Sequence, residues 1–249
     1  NTSTPAEIAA CKGCTAGSVP DGPNASTCTL LGNQEIAGIN VYAPDFAVNT
    51  GATLRLQEPW PWSCPPGFVI DTAAPVTEGQ QPACKADPAD CGDDPYGDPS
   101  LVDDLGVVFV DAGHGSDSAA GTRSAPLRTI SAALSRVPPS GTVAVAQGDY
   151  PEAVVISQPV TLRGRCAAQV RMGAPAAEPV LEVNDLGGGQ VVVHGLQLTG
   201  PGRGILASGS VSLDRVWMHD VKSFGILAGG KGVSVDVRES VVDGTWGEN

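Results

Sequence analysis

Aromatic side chains make up only 4% of this 249-residue chain. No window approaches eighteen consecutive apolar residues, so no membrane-spanning helix is expected. Cations are few in the first 104 residues. Lys12, Arg55 and Lys85 face fourteen acids there, leaving −11, whereas eleven cations face thirteen acids in the remainder, leaving −2. Such an acidic surface repels phosphate backbones and argues against nucleic acid or an anionic membrane as partner. No leader precedes Asn1, so an exported protein would be present here in its mature form. What is abundant is Gly (32) and Pro (21), a composition suited to short strands and many turns rather than long helices.

The cysteines are unevenly placed. Cys11, Cys14, Cys28, Cys64, Cys84 and Cys91 lie in a loop-rich region with little apolar periodicity, and Cys166 stands apart. Six such cysteines read as a disulfide framework formed in an oxidising, extracytoplasmic compartment. Zinc is the rival, but Cys11-x-x-Cys14 is followed by no second ligand pair. Fifteen pairings are open, and Cys166 is expected as a small buried hydrophobe. Trp60 and Trp62, interleaved with proline, suit either the core of a small module or a platform for stacking sugars. Residues 85–104, rich in Asp and Pro, read as a solvated spacer. No calcium-loop pattern of alternating Asp ending in Glu is present, so no cofactor is expected, calcium on the clustered carboxylates being the possible exception. The organisation expected is a Cys-rich module over 1–84, an acidic linker over 85–104 and a second unit over 105–249.

That second unit opens with a strand at Val107–Val110, a Gly/Ser/Asp loop holding His114 and Asp117, and a helix over about 125–137. Leu127, Ile130, Ala133 and Leu134 form one apolar stripe on that helix. The loop reads as a structural turn rather than a metal site. Short strands follow, in which aliphatic residues alternate with polar ones. Their leading valines are Val143, Val160, Val191, Val211 and Val233, spaced by 17, 31, 20 and 22 residues. A second short segment follows each, and Gly204-Ile-Leu-Ala-Ser-Gly recurs as Gly225-Ile-Leu-Ala-Gly-Gly. Three short strands per turn of about twenty residues describe a parallel β-helix, whose coils stack at about 4.8 Å. A hairpin sandwich would need two-residue turns, and Asp243-Gly244 is the one such dipeptide after the helix. The amphipathic helix would plug one end, since an open coil exposes apolar core and unpaired edge groups. The other end lacks a second such helix, and the expectation is a longer solenoid, an irregular tail or a partner covering it.

The run Val110-Asp111, Gly115-Ser-Asp117, Gly121-Thr122, Pro126, Thr129-Ile130, Ala133-Leu134, Gly148-Asp-Tyr150-Pro-Glu152 and Val160-Thr-Leu-x-Gly164 resembles the cap and first coils of the pectin-lyase-like right-handed parallel β-helix superfamily. It is most similar to bacterial secreted members of unknown function. The resemblance implies the fold over about 106–249. It implies less about activity, because the superfamily includes polysaccharide lyases, glycoside hydrolases, epimerases, adhesins and proteins of no known activity. Lyases of this kind use several Asp on calcium with a Lys or Arg base, and the only lysines after the linker are Lys222 and Lys231.

Stacked coils place equivalent residues in ladders. One expected ladder runs Ala146, Arg163, His194, Asp214 and Asp236. Another runs Thr199, His219 and Asp243, with Asp220 beside His219. Asp214 and Asp236 one coil apart, about 5 Å, would raise one another's proton affinity and form an acid/base pair, with His219 as a further acid/base. The catalytic candidates are therefore Asp214, Asp236 and His219. The binding candidates are Arg163, His194, Asp220, Asp243, Trp60 and Trp62. Three functions follow: an extracellular or cell-surface module binding polysaccharide or another surface component, a lyase or hydrolase of acidic polysaccharide, and a passive spacer.

Overall fold

The computed structural model describes residues 64–74, 83–104, 106–175, 178–222 and 224–243 in full, and six strands between residues 18 and 56 by their backbone. The core is a parallel β-solenoid of about four turns built from three sheets. The first sheet stacks Val107–Val110, Thr142–Val145, Val160–Gly164, Gln190–His194, Ser210–Asp214 and Ser234–Arg238. The second stacks Gly148–Tyr150, Val170–Gly173, Gln197–Thr199, Trp217–His219 and Val241–Val242. The third stacks Val154–Ile156, Pro179–Val183, Arg203–Ala207 and Ile226–Ala228. Every pairing among these strands is parallel, as the repeating valines require.

Alternation inside each strand fills the centre. Val143, Leu162, Val193 and Leu213 form one column at 0% exposure, continued by Val237. Leu181, Ile205 and Ile226 form another, on the third sheet. Each is in van der Waals contact with the coil above and below, so the core is continuous along the axis.

The helix is shorter than its stripe suggested. Helix α1 spans Ile130–Leu134, with Thr129 as N-cap accepting from the amide of Ala132. Leu127 is fully buried but extended. Its amide donates to Phe109 O, its carbonyl accepts from Asp111, and it bridges Val110 in parallel. Pro126 offers no amide to a preceding helical turn, so the chain pairs with the sheet edge before turning helical. Gly121 O accepts from Phe109 N, and between them these contacts satisfy the edge strand that a bare first coil would leave open. Carboxylates from elsewhere hold the helix start. Glu152 accepts from the amides of Ile130 and Ser131, and Asp117 from those of Arg128 and Thr129. The loop carrying His114 and Asp117 is thus a structural turn.

Residues 85–104 are not a free spacer. They run along the solenoid wall and are fastened to it repeatedly. Arg215 pairs with Asp90 at 3.6 Å, Arg163 with Asp98 at 3.2 Å, and Arg123 with Asp94. Arg165 donates to the carbonyls of Cys91 and Gly92. Tyr96, 4% exposed, packs edge-on against Phe109 at 4.8 Å between ring centroids, with the Arg123 guanidinium over both rings. Burial, reinforced by the charge of Asp111, pushes its phenol up to about 12. Gly97 (φ +75) lies so close to the wall that a Cβ would stand 2.3 Å from Arg165 O. The Asp-rich composition suggested solvation, but these carboxylates have arginine partners along the coils.

The cysteines bear this out. Cys64 bonds Cys84, stapling the hairpin Phe68–Ile70/Cys84–Ala86, and Cys91 bonds Cys166. Cys166 is therefore a disulfide partner and not a free hydrophobe. It is buried, at 3% exposure, because it holds the strap to the second coil. Cys11, Cys14 and the side chain of Cys28 lie outside the described residues, as do Trp60 and Trp62.

Candidate functional site

The residue that turns the last three of these first-sheet strands into the second sheet repeats in conformation. Gly195 (φ 65), Arg215 (φ 52) and Glu239 (φ 43) are all left-handed, and each follows the last residue of its strand. That recurrence fixes the outward ladder as Ala144, Arg163, His194, Asp214 and Arg238. The two ends differ from the expected ladder: Ala144 stands where Ala146 was placed, and Arg238 where Asp236 was placed. Val233, Val235 and Val237 alternate, so a slip of two residues leaves every valine inside; alternation cannot detect it.

Asp236 is opposite Ser212 and receives the Gln190 amide at 3.4 Å. Strand rise and coil spacing put its backbone roughly 8 Å from that of Asp214, not the expected 5 Å or so. Asp214 instead lies 2.9 Å from His194 Nδ1 and faces Arg238. Along this face acids and bases are paired: Asp98 with Arg163, then His194 with Asp214, followed by Arg238.

His219 is on a different wall. The second-sheet ladder holds as expected, with Thr199 opposite His219. Asp243 extends it, its amide donating to Met218 O at 2.9 Å. Leu198 and Met218 point inward at 0% exposure, so their neighbours in sequence face out. The indole of Trp217 stacks on the imidazole of His219, centroids 4.0 Å apart and planes 28° apart. His219 Nδ1 lies 2.8 Å from Asp220, and its Nε2 is in close contact with the Gln197 side-chain amide. An amide nitrogen can only donate. The tautomer that satisfies both contacts therefore keeps its proton on Nδ1, donating to Asp220. His219 is 17% exposed and Asp220 64%. Asp220 has φ 53, in the left-handed region that Asp tolerates better than most residues. Arg171, 60% exposed, and Gln197 precede Trp217 in the adjoining ladder. On its other side Trp217 packs against the Cys64–Cys84 hairpin.

The expected catalytic residues thus do not converge. Asp214 and Asp236 share the first sheet on a diagonal, and His219 belongs to the second sheet with Asp220. Of the binding candidates, Arg163 and His194 stand in the first-sheet ladder, Asp220 and Asp243 beside His219. Gln197, Arg171 and Trp217 were not among the candidates. The three-residue step from strand end to second-sheet start, repeated at His194–Gln197, Asp214–Trp217 and Arg238–Val241, is the sequence signal that would have placed Gln197 and Trp217; Arg171 follows the longer step Gly164–Val170 and has no such signal. Among the described residues no group of three or more His, Cys, Asp or Glu is arranged to hold a metal.

Residues 113–169 match a family described as a protein of unknown function (DUF1565), a β-helix family of the pectin-lyase-like kind. The resemblance to that superfamily is thereby shown over the helix and the first coils. No curated protein matches. Among solved structures, a GH136 lacto-N-biosidase from Eubacterium ramulus aligns at 15% identity and a TM-score of 0.39. The alignment covers 54% of this chain and 33% of that one, so the chain spans about a third of the enzyme's length. That degree of likeness carries no argument about this chain's activity.

Proposed function

We propose that this chain is an extracytoplasmic, secreted or cell-surface β-solenoid module that binds carbohydrate at the outward face of its second sheet. The observation that carries the reading is the Trp217–His219 ring stack, flanked by the Gln197 amide and the exposed Asp220 carboxylate, with Arg171 one coil beyond Gln197 and paired with Asp149. The Trp217 indole, covered on its other side by the hairpin, holds the His219 ring in place, and the amide and carboxylate beside it supply donors and acceptors for sugar hydroxyls. Parallel coils hold these groups on a rigid wall, so little ordering entropy is spent on binding. The Cys64–Cys84 and Cys91–Cys166 disulfides support an oxidising compartment.

The test is calorimetric titration with a panel of neutral and acidic oligosaccharides. Binding by the unaltered chain should weaken at least tenfold in Gln197→Ala and in His219→Ala and persist in His194→Ala. Equal affinity in all four proteins would refute the site. Asp214 and Asp236 stand on the same face with backbones roughly 8 Å apart, so two carboxylates of the kind that glycoside hydrolysis uses share this wall. The same mixtures are therefore assayed for new reducing or unsaturated ends. If such ends appear and are abolished by Asp214→Ala, the function is catalytic and its centre lies on the first sheet.

A further inference from the structure

The far end of the solenoid is the open question that the helix end does not raise. We infer that the strands Glu35–Ala37, Val41–Ala43, Phe46–Val48 and Thr53–Leu56 are the chain's own closing cap, added in cis onto the last coil and ending the stack. Phe46–Val48 pairs in parallel with Ile226–Ala228, placing Phe46 opposite Ile226 and Val48 opposite Ala228. Thr53–Leu56 pairs in parallel with Ser234–Arg238, placing Leu54 opposite Val235 and Leu56 opposite Val237. All four positions prolong the inward columns of their sheets, and the sequence puts an apolar residue at every one. Ala47 and Arg55 fall at outward positions, opposite Leu227 and Asp236.

The next strands out change direction. Val41–Ala43 joins Phe46–Val48, and Glu35–Ala37 joins Thr53–Leu56, both antiparallel. An antiparallel strand does not continue the coil path, so the parallel stack stops there. An independent observation agrees. Cys64 joins a cluster that includes Val241 and Trp217 of the last coils as well as Ala167, so eight residues after Leu56 the chain lies against the second-sheet wall that reaches the last coil. From there the strap over 85–104 returns it to the first coil. Without the cap, Ile226–Ala228 and Ser234–Arg238 would be unpaired parallel edges, able to accept a strand from another copy and build a head-to-tail assembly that does not close.

Cysteine cross-linking in the full chain tests this. Residues facing each other across neighbouring coils lie within disulfide reach, and those two coils apart, about 9.6 Å, do not. Ala47→Cys with Leu227→Cys should form an intrachain disulfide under mild oxidation, located by peptide mass mapping. Ala47→Cys with Leu206→Cys, one coil further, should not. Absence of the first link, or its appearance only between chains, would overturn the cap in cis. As a second readout, Leu54→Asp with Leu56→Asp should raise the mass seen by light scattering at least twofold over the unaltered chain while the β circular dichroism persists. An unchanged mass would contradict the blocking role.

Discussion

At the scale of single residues, the solenoid wall leaves little room. A Cβ on Gly204 would stand 1.9 Å from Gly225 O and 2.7 Å from Met218 Sδ. The recurrence of Gly204-Ile-Leu-Ala at Gly225 is therefore a packing requirement between successive coils. Gly204→Ala should cost roughly 2–3 kcal/mol by overpacking, whereas Gly187→Ala, with nothing within 4 Å but φ +61, should cost less. Denaturant midpoints of the two variants check this order. The same scale explains what the sequence reading could and could not see. Val191 and Val211 announce their column because aliphatic residues alternate there. The place of Asp236 was hidden, because Val233, Val235 and Val237 permit two registers with the same faces. Cys166 gave no sign of its partner, since a pairing across 75 residues leaves no local pattern.

At the scale of elements, the cap helix depends on side chains outside it. Five helical residues gain little from hydrogen bonding alone, so their capping carboxylates matter. Burial pushes Asp117 up, but the amides of Thr129 and Arg128 and the Thr129 hydroxyl outweigh it and hold the group below its usual 3.8. Asp111 is held down in the same way by His114 and Gly113, and Asp98 by Ser100. A lowered folded value means that the stabilisation is complete above the unfolded value and is lost as pH falls through the folded one. Thermal midpoints should therefore fall below about pH 4, and Asp117→Asn should flatten that acid limb without altering the midpoint's response above pH 6 or so. An acid limb unchanged by the substitution would show that Asp117 does not contribute. The helix's length, by contrast, was misjudged from sequence because Leu127 fits a helical stripe and a strand edge equally well, and Pro126 decides for the strand.

At the scale of the molecule, a solenoid stacks units that contact only their neighbours, so its ends would open independently. The strap changes that. It binds Asp90 to Arg215 on a late coil, Cys91 to Cys166 on the second, and Tyr96 to Phe109 on the first. Distant coils are thereby joined by a chain segment whose composition suggested solvation. The loop closed by Cys91 and Cys166 spans 75 residues against 20 for Cys64 and Cys84. Chain entropy makes these worth at most about 4.5 and 3.3 kcal/mol. Cys91→Ser with Cys166→Ser should thus destabilise more than Cys64→Ser with Cys84→Ser in urea unfolding. The reverse order would mean that the strap holds through its ion pairs and Tyr96 alone. The parallel stack itself was legible from period and glycine placement, while the strap was not, because its partners are scattered from the first coil to a late one.

Everything rests on successive coils lying parallel and in the register that aligns Val193 with Leu213. Amide-to-amide nuclear Overhauser effects in perdeuterated protein read that register directly. Contacts should link the strand Gln190–His194 to Ser210–Asp214 and Ser210–Asp214 to Ser234–Arg238, each in parallel order. Antiparallel contacts between strands adjacent in sequence would contradict the account and remove both histidine pairs with it.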